Sequence, residues 1–469
     1  MAKPKTQFAC QECGTLHPKW MGRCEGCGAW NTLVEEQTAA APQKGGKRTA
    51  ARFVALSGED AHPPRRSAGI AEFDRVCGGG LVPGSTVLIG GDPGIGKSTL
   101  ALQIAAGLAV GGLRCAYVSG EEAVDQVRLR AQRLGVRDSG VTLAAETGVG
   151  AITAALAGAD APDVLVVDSI QTMQVDELDS PPGTVSQVRG AAQAFIREAK
   201  ARGITVVFVG HVTKEGTLAG PKVLEHMVDA VLTFEGERGH HFRILRAAKN
   251  RYGATDEIGV FEMTDAGLAE VPNPSAFFLA ERRGRVAGSA VFAGLEGTRP
   301  VLVEIQALVA SSALATPRRA VVGWDPNRLS MVLAVLEARC GVLLAGQDVY
   351  LNCTGGLRVQ EPAADLAVAA ALLSAASGEP LADETVVFGE VGLSGEVRPV
   401  TQAEQRLKEA AKLGFAGAWM PPRRGRRAPA PPAGLAVEEM GHLDDLVARF
   451  DELPVRRKRA RGAEPASEA

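Results

Sequence analysis

The chain has 469 residues, 46% hydrophobic and 22% charged. That length exceeds one ordinary core and implies two or three domains, and that balance excludes a disordered chain. A formal net charge of −3 excludes a uniformly basic nucleic-acid coat, though not local basic strips.

Residues 1–34 read as a compact cysteine module. Cys10-x-x-Cys13 and Cys24-x-x-Cys27 are two knuckles separated by a ten-residue loop. Each pair can place two thiolates on one Zn²⁺, and two pairs complete a tetrahedron. Gly14, Gly26 and Gly28 permit the tight turns that aim backbone N–H groups at sulfur, and Trp20 and Trp30 are expected to cover a site too small to have its own core. Four thiolates leave no open position, so the expected zinc is structural; a redox dithiol pair is the competing reading. The chain begins without a secretory apolar segment and carries no run near the roughly 20 residues that cross a bilayer. A cytoplasmic protein with no membrane contact is expected, and in it the eight cysteines do not read as a disulfide framework. Residues 35–66, polar and rich in Ala, Gly and Pro, read as a linker.

From 67 to 270, short apolar runs alternate with helical segments, which predicts parallel βαβ units. Strands are expected at 85–90, 114–119, 163–168, 204–209 and 229–234. Gly91, Asp92, Pro93, Gly94, Ile95, Gly96, Lys97 and Ser98 spell G-x-x-x-x-G-K-[ST] between the first strand and a helical run that begins at Thr99. In that context the glycines let backbone N–H groups converge on the phosphates of ATP, and the helix N-terminus adds positive potential. Lys97 is expected to reach the β- and γ-phosphates and Ser98 to ligate Mg²⁺. Gly91 through Thr99 are thus the candidate nucleotide-binding residues.

The strand 163–168 ends in Asp168, placed to hold Mg²⁺. The strand 114–118 runs into Glu121 and Glu122; Glu121 is favoured as the base that polarises the attacking water, with Glu122 as the alternative. His211, after the strand 204–209, is placed to contact the γ-phosphate, and the polar segment 212–222 behind it reads as a mobile loop. Lys249 and Arg251 are two residues apart, so an extended segment aims both the same way, and two adjacent cations call for an anion.

Phosphate loop, strand-end Asp168, Glu121 and His211 together resemble the RecA-type ATPase core. With the four cysteines and Lys249-Asn250-Arg251-Tyr252-Gly253, the chain resembles the RadA (Sms) family of bacterial DNA-repair proteins. The family motif is K-N-R-F-G; Tyr252 keeps the aromatic ring. The resemblance implies a DNA-dependent ATPase that drives branch migration in homologous recombination and acts on single-stranded and branched DNA. It implies a homo-oligomeric ring, a hexamer, and RecA as partner recombinase. The anion met by Lys249 and Arg251 would then be a neighbouring subunit's γ-phosphate or a DNA phosphate. The implied catalytic set is Lys97, Glu121, Asp168, Lys249 and Arg251.

Residues 271–453 form a second α/β region, with strand-like runs at 289–293, 301–308, 349–353 and 386–391 and helices near 328–340 and 363–377. Gln360-Glu361-Pro362-Ala363-Ala364-Asp365 and the run from Phe388 to Val400 resemble the proteolytic domain of Lon proteases. Where that resemblance implies a nucleophilic serine and a catalytic lysine, this chain has Ala363 and Glu404. A methyl cannot attack and a carboxylate cannot replace the amine, so peptidase chemistry is not expected. Arg423, Arg424, Arg426 and Arg427 are candidate phosphate contacts or a solvated loop, and 454–469 reads as a disordered tail. The expected architecture is α/β: a zinc ribbon, a RecA-like parallel-sheet core and a Lon-like domain. A Lon-type protease and an ATP-regulated scaffold acting on protein are the rival functions.

Overall fold

The computed structural model describes residues 6–10, 15–37, 64–210, 222–236, 242–255, 257–279, 285–313, 316–356, 358–382, 384–423, 430–451 and 453. Cys13, His211, the segment 212–221, Arg424, Arg426, Arg427 and the tail 454–469 lie outside the described residues. The chain divides into two compact units at Pro272/Asn273. Among the described residues no helix is long and apolar enough to cross a membrane.

The first unit opens with a small antiparallel sheet of β1 (Thr6–Cys10), β2 (Leu16–His17) and β3 (Leu33–Gln37), ordered β2-β1-β3. Glu35, Glu36 and Gln37, given to the linker by their polarity, are the end of β3, held in the ladder by Thr6, Gln7 and Phe8. Arg65 and Arg66 likewise leave the expected linker. Arg65 donates to the Cys77 carbonyl (3.0 Å) and Arg66 to the Asp163 carbonyl (2.8 Å).

The larger body of this unit starts with α1 (Ala71–Val76), β4 (Thr86–Gly91), α2 (Lys97–Val110), β5 (Cys115–Ser119), α3 (Val124–Arg133) and β6 (Thr142–Ala145). It continues with α4 (Val149–Leu156), β7 (Val164–Asp168), α5 (Val185–Arg202), β8 (Thr205–Val209) and α6 (Lys222–Met227). It ends with β9 (Ala230–Glu235), β10 (Phe242–Asn250), β11 (Ile258–Thr264) and β12 (Gly267–Glu270). Among the described residues one nine-stranded sheet results, ordered β12-β11-β10-β9-β4-β8-β7-β5-β6. The strands from β9 to β6 are parallel, as the βαβ rhythm predicts. β10, β11 and β12 add an antiparallel meander that the apolar runs did not announce.

Strand residues alternate between two cores, one on each face of the sheet. Val87, Ile89, Val164, Val166, Val207 and Val209 pack with Leu100, Ile104 and Leu108 of α2. Leu88, Leu165, Val167, Val206 and Phe208 pack with Val188 and Phe195 of α5. Continuous apolar strands follow from this burial on both faces. The carboxyl ends of β4, β5, β7 and β8 then share one edge, where ligands bind in open α/β sheets.

The second unit holds α7 (Pro274–Phe278), β13 (Ser289–Glu296), β14 (Arg299–Ser311), β15 (Arg319–Val322), α8 (Pro326–Cys340), β16 (Gln347–Cys353) and α9 (Asp365–Ser377). After these come β17 (Thr385–Val387), β18 (Glu390–Val391), β19 (Val397–Arg398), α10 (Ala403–Lys412), β20 (Gly417–Met420), β21 (Ala436–Glu439) and α11 (Leu443–Val447). Its described sheet is mixed and seven-stranded, ordered β15-β16-β14-β13-β17-β20-β21. Every residue of α9 from Asp365 to Ser374 is buried, as an Ala- and Leu-rich helix with no polar stripe must be.

Candidate active site

β4 ends in Gly91, and α2 begins at Lys97, so the glycine loop joins a central strand to a helix N-terminus. Gly94 (φ +79°) and Gly96 (φ +113°) hold conformations that favour glycine. A Cβ at Gly96 would lie 2.6 Å from Met263 Cε, whereas a Cβ at Gly94 would meet nothing within 4 Å. One side of the loop is therefore packed and the other open, which is the room a polyphosphate requires.

Lys97 is 4% exposed and donates to the carbonyls of Gly91 and Asp92, both at 2.8 Å. Burial pushes its pKa down, while Asp168, Asp92 and Glu121 pull it back up. A buried ammonium beside an open loop at a helix N-terminus fits an anionic ligand.

Parallel pairing of β5 with β7 sets Ser119 opposite Asp168. The Gly120 N–H donates to the Asp168 carbonyl at 2.8 Å, and a Cβ there would sit 2.0 Å from Thr172 Oγ1. Only glycine allows this approach, which carries Glu121 to the Asp168–Ser169 turn. Ser169 Oγ donates to Glu121 Oε1 at 2.5 Å. Glu122 is ion-paired with Arg130 instead. Tyr117, absent from the sequence reading, donates its hydroxyl to Asp168 Oδ2. Asp168 is 7% exposed, beside Lys97, and its carboxylate fits a divalent cation. The position of His211 follows β8, whose Val209 is in register with Asp168 and Ile89, but His211 itself lies outside the described residues.

In the ribbon, the sulfurs of Cys10, Cys24 and Cys27 lie within 4.8 Å of one another. The Cys10–Cys27 separation is 3.7 Å, against about 3.8 Å between thiolates on a tetrahedral zinc with ~2.3 Å bonds. The Gly26 N–H donates to Cys24 Sγ at 3.3 Å, and the left-handed Gly28 (φ +76°) completes the knuckle. These residues fit zinc; Cys13 is outside the described residues. Buried His17, also missed in the sequence, sets Nε2 3.4 Å from Cys24 Sγ. The expectation for the tryptophans is overturned. Trp20 is 55% and Trp30 69% exposed, and the buried positions beside the cysteines belong to His17 and Leu33 instead.

Residues 59–217 match the AAA domain family, residues 8–35 the rubredoxin metal binding domain, and residues 331–424 subunit ChlI of Mg-chelatase. The DNA repair protein RadA of Brucella abortus is 59% identical over 461 residues, spanning 96% of this chain and 98% of that protein. The chain belongs to the RadA family of DNA repair proteins. RadA of Bacillus subtilis is 51% identical over 425 residues (88% of this chain, 92% of that protein). RadA of Pseudomonas aeruginosa is 51% identical over 454 residues (95% and 99%). The zinc ribbon, the RecA-like ATPase core and the Lon-like domain form the architecture of this RadA-family chain.

Lys249 and Arg251 do not join the phosphate loop of their own chain. Lys249 is in register with Val231, itself opposite Leu88, and lies past a bulge at Ala247. Its ammonium caps the end of α6 through the carbonyls of Glu225 (2.7 Å) and Val228 (2.8 Å). Burial lowers its pKa, and the nearby Arg251 adds to the effect. Arg251 pairs with Asp229 at 3.2 Å, and Asp229 accepts from the N–H (3.0 Å) and hydroxyl (2.9 Å) of Thr86. Thr86 opens β4 and Gly91 closes it, so the two ends are roughly 16 Å apart at the strand rise. Within its own chain the anion that Arg251 meets is Asp229, which also acts on the charge of Lys249.

In the Lon-like domain of this RadA-family chain, Ala363 is buried at 1% exposure, and its carbonyl accepts from the Gly389 N–H at 2.7 Å. Glu404 pairs with Lys408 on the same helix at 2.6 Å. Neither position carries a nucleophile or a free amine. Arg423, the described member of the arginine run, pairs with Glu439 at 2.9 Å.

Proposed function

We propose that this chain is a DNA-dependent ATPase motor acting in homologous recombination and repair, which promotes branch migration by ATP-driven translocation on single-stranded DNA. The observation that carries this reading is the buried Lys97 in an open glycine loop, facing the Tyr117–Asp168 and Ser169–Glu121 pairs. Lys97 would leave its two carbonyls for the β- and γ-phosphates, exchanging neutral acceptors for charged ones. Bound Mg²⁺ would offset phosphate charge, held by Ser98 and Asp168. Glu121, oriented by Ser169, would take the proton of the attacking water.

Arg251 pairs with the Asp229 that Thr86 holds, at the opposite end of β4 from its own loop, and Lys249 bonds the end of α6. That placement favours the reading in which they serve the γ-phosphate of a neighbouring subunit in a hexameric ring, as an arginine supplied in trans does. Arg251 is 52% exposed at its side chain, which leaves it reachable. Single-stranded and branched DNA and the recombinase RecA are the partners this reading takes from the family. The protease alternative finds no support at Ala363 and Glu404.

The test is the ATPase rate of the full chain with and without single-stranded DNA, for wild type and Lys97→Ala. Stimulation by DNA in wild type and loss of hydrolysis in the variant are expected. An equal rate with and without DNA would remove the motor reading.

A further inference from the structure

Trp20 and Trp30 are left in water by the fold of the ribbon, and their placement is specific. Gly22 lies between them: a Cβ there would be 3.7 Å from Trp30 Cζ3 and 4.0 Å from Trp20 Cη2. The missing side chain leaves a notch walled by two indoles. Backbone bonds tie the notch to the metal knuckle. Asn31 N–H donates to the Gly22 carbonyl at 2.8 Å, and Cys24 N–H to the Ala29 carbonyl at 2.8 Å. Arg23 Nε donates to the Gly28 carbonyl at 3.0 Å and holds its guanidinium 5.9 Å from the Trp30 ring centre. Exposed Lys19 adjoins Trp20 in sequence.

We infer that this notch binds unpaired nucleobases of single-stranded DNA by stacking between Trp20 and Trp30, with Arg23 and Lys19 taking the adjoining phosphates. Aromatic platforms beside cations are the chemistry of sequence-tolerant single-strand binding. Duplex bases are already stacked on each other, so their faces are closed to the indoles. An apolar protein surface would cover the charges of Lys19 and Arg23 without supplying an anion, which disfavours it as occupant. The inference rests on the motor reading for its choice of nucleic acid, but the ribbon site needs no ATP.

The chain has four tryptophans, and residues 67–270 contain none. In full-length, zinc-loaded chain carrying Trp324→Phe and Trp419→Phe, indole fluorescence therefore reports only Trp20 and Trp30. Without nucleotide, oligo(dT) should quench it, and an abasic strand of equal length or a duplex should not. Trp20→Ala or Trp30→Ala should weaken oligo(dT) binding by roughly 5- to 150-fold each. ¹⁹F NMR of 5-fluorotryptophan-labelled wild type reads all four indoles, Trp20 and Trp30 among them, and the missing resonance of each single Trp→Phe variant assigns them, should the double background fail to fold. Unchanged indole signals with oligo(dT), while DNA still stimulates the ATPase, would overturn this inference and leave the motor reading standing. Equal responses to oligo(dT) and the abasic strand would overturn stacking in favour of charge alone. Indole signals that move with a recombinase protein but not with oligo(dT) would make the notch a protein dock and overturn it as well.

Discussion

The Tyr117 hydroxyl donates to the carboxylate of Asp168 across two neighbouring parallel strands, and both residues are buried. Burial raises the Tyr117 pKa well above its ordinary value, and the Asp168 charge raises it further. The phenol therefore keeps its proton and stays a donor throughout the neutral range. One oxygen of the Asp168 carboxylate is pinned before any ligand arrives.

Tyr117→Phe deletes that donor and leaves a buried carboxylate with one bond fewer, which costs about 1.5–3 kcal/mol. The expected kinetic result is a fall in kcat of about tenfold or more with the KM for ATP nearly unchanged, plus a raised half-saturating Mg²⁺. Steady-state ATPase rates across a Mg²⁺ titration check this; a change confined to thermal stability would reduce Tyr117 to a packing residue.

The two adjacent glutamates should separate cleanly. Glu121→Gln is expected to lower hydrolysis by about 10²–10⁴-fold while ATP still binds. Glu122→Gln breaks the partly buried pair with Arg130 and should lower stability by about 1–3 kcal/mol with hydrolysis largely kept. Single-turnover hydrolysis and urea unfolding of both variants distinguish them.

Lys97 makes nucleotide affinity depend on pH in the alkaline range. Burial holds its pKa below the ordinary lysine value, so the ammonium begins to lose its proton early as pH rises. A bound phosphate favours the charged form, so binding takes up a proton once the free site is partly neutral. ATP affinity should therefore fall as pH rises into the alkaline range, before free lysine titrates. Calorimetry in buffers of different ionisation enthalpy should detect the proton uptake; none in the upper part of that range would contradict it.

Arg406 is fully buried in the second unit. It bonds the carbonyl of Ala293 (2.7 Å) and the carboxylate of Glu361, and lies 5.6 Å from the Phe388 ring centre. Arg406→Ala should destabilise that unit by about 3–5 kcal/mol, because Glu361 loses its cation. Arg406→Met with Glu361→Gln should recover much of the loss, and denaturant unfolding of both variants measures the difference.

Local pattern carried much of this protein. Five parallel strands are continuous apolar runs because both their faces are buried, so each could be read without its neighbours. The glycine loop, Asp168 and the cysteine knuckles are likewise spacings along one stretch of backbone, where covalent geometry alone limits what can form. The meander of β10, β11 and β12 was not legible, since its strands are defined by pairing with each other and with β9.

Side-chain partnership belonged to the tertiary structure. Tyr117 and Asp168 are 51 positions apart, and only the β5–β7 register brings them together. The same register turns Glu121 toward Ser169 and leaves Glu122 to Arg130. Asp229 claims Arg251 because β10 pairs antiparallel with β9, setting Asn250 opposite Ala230, and the knuckle fold leaves two indoles in water that composition would have buried. The sequence alone determined which chemistry to look for, since the candidate phosphate- and metal-binding residues sit at short, rigid spacings. Which acid faces that chemistry and which aromatic surfaces remain open depended on contacts between distant strands, whose register no local pattern encodes.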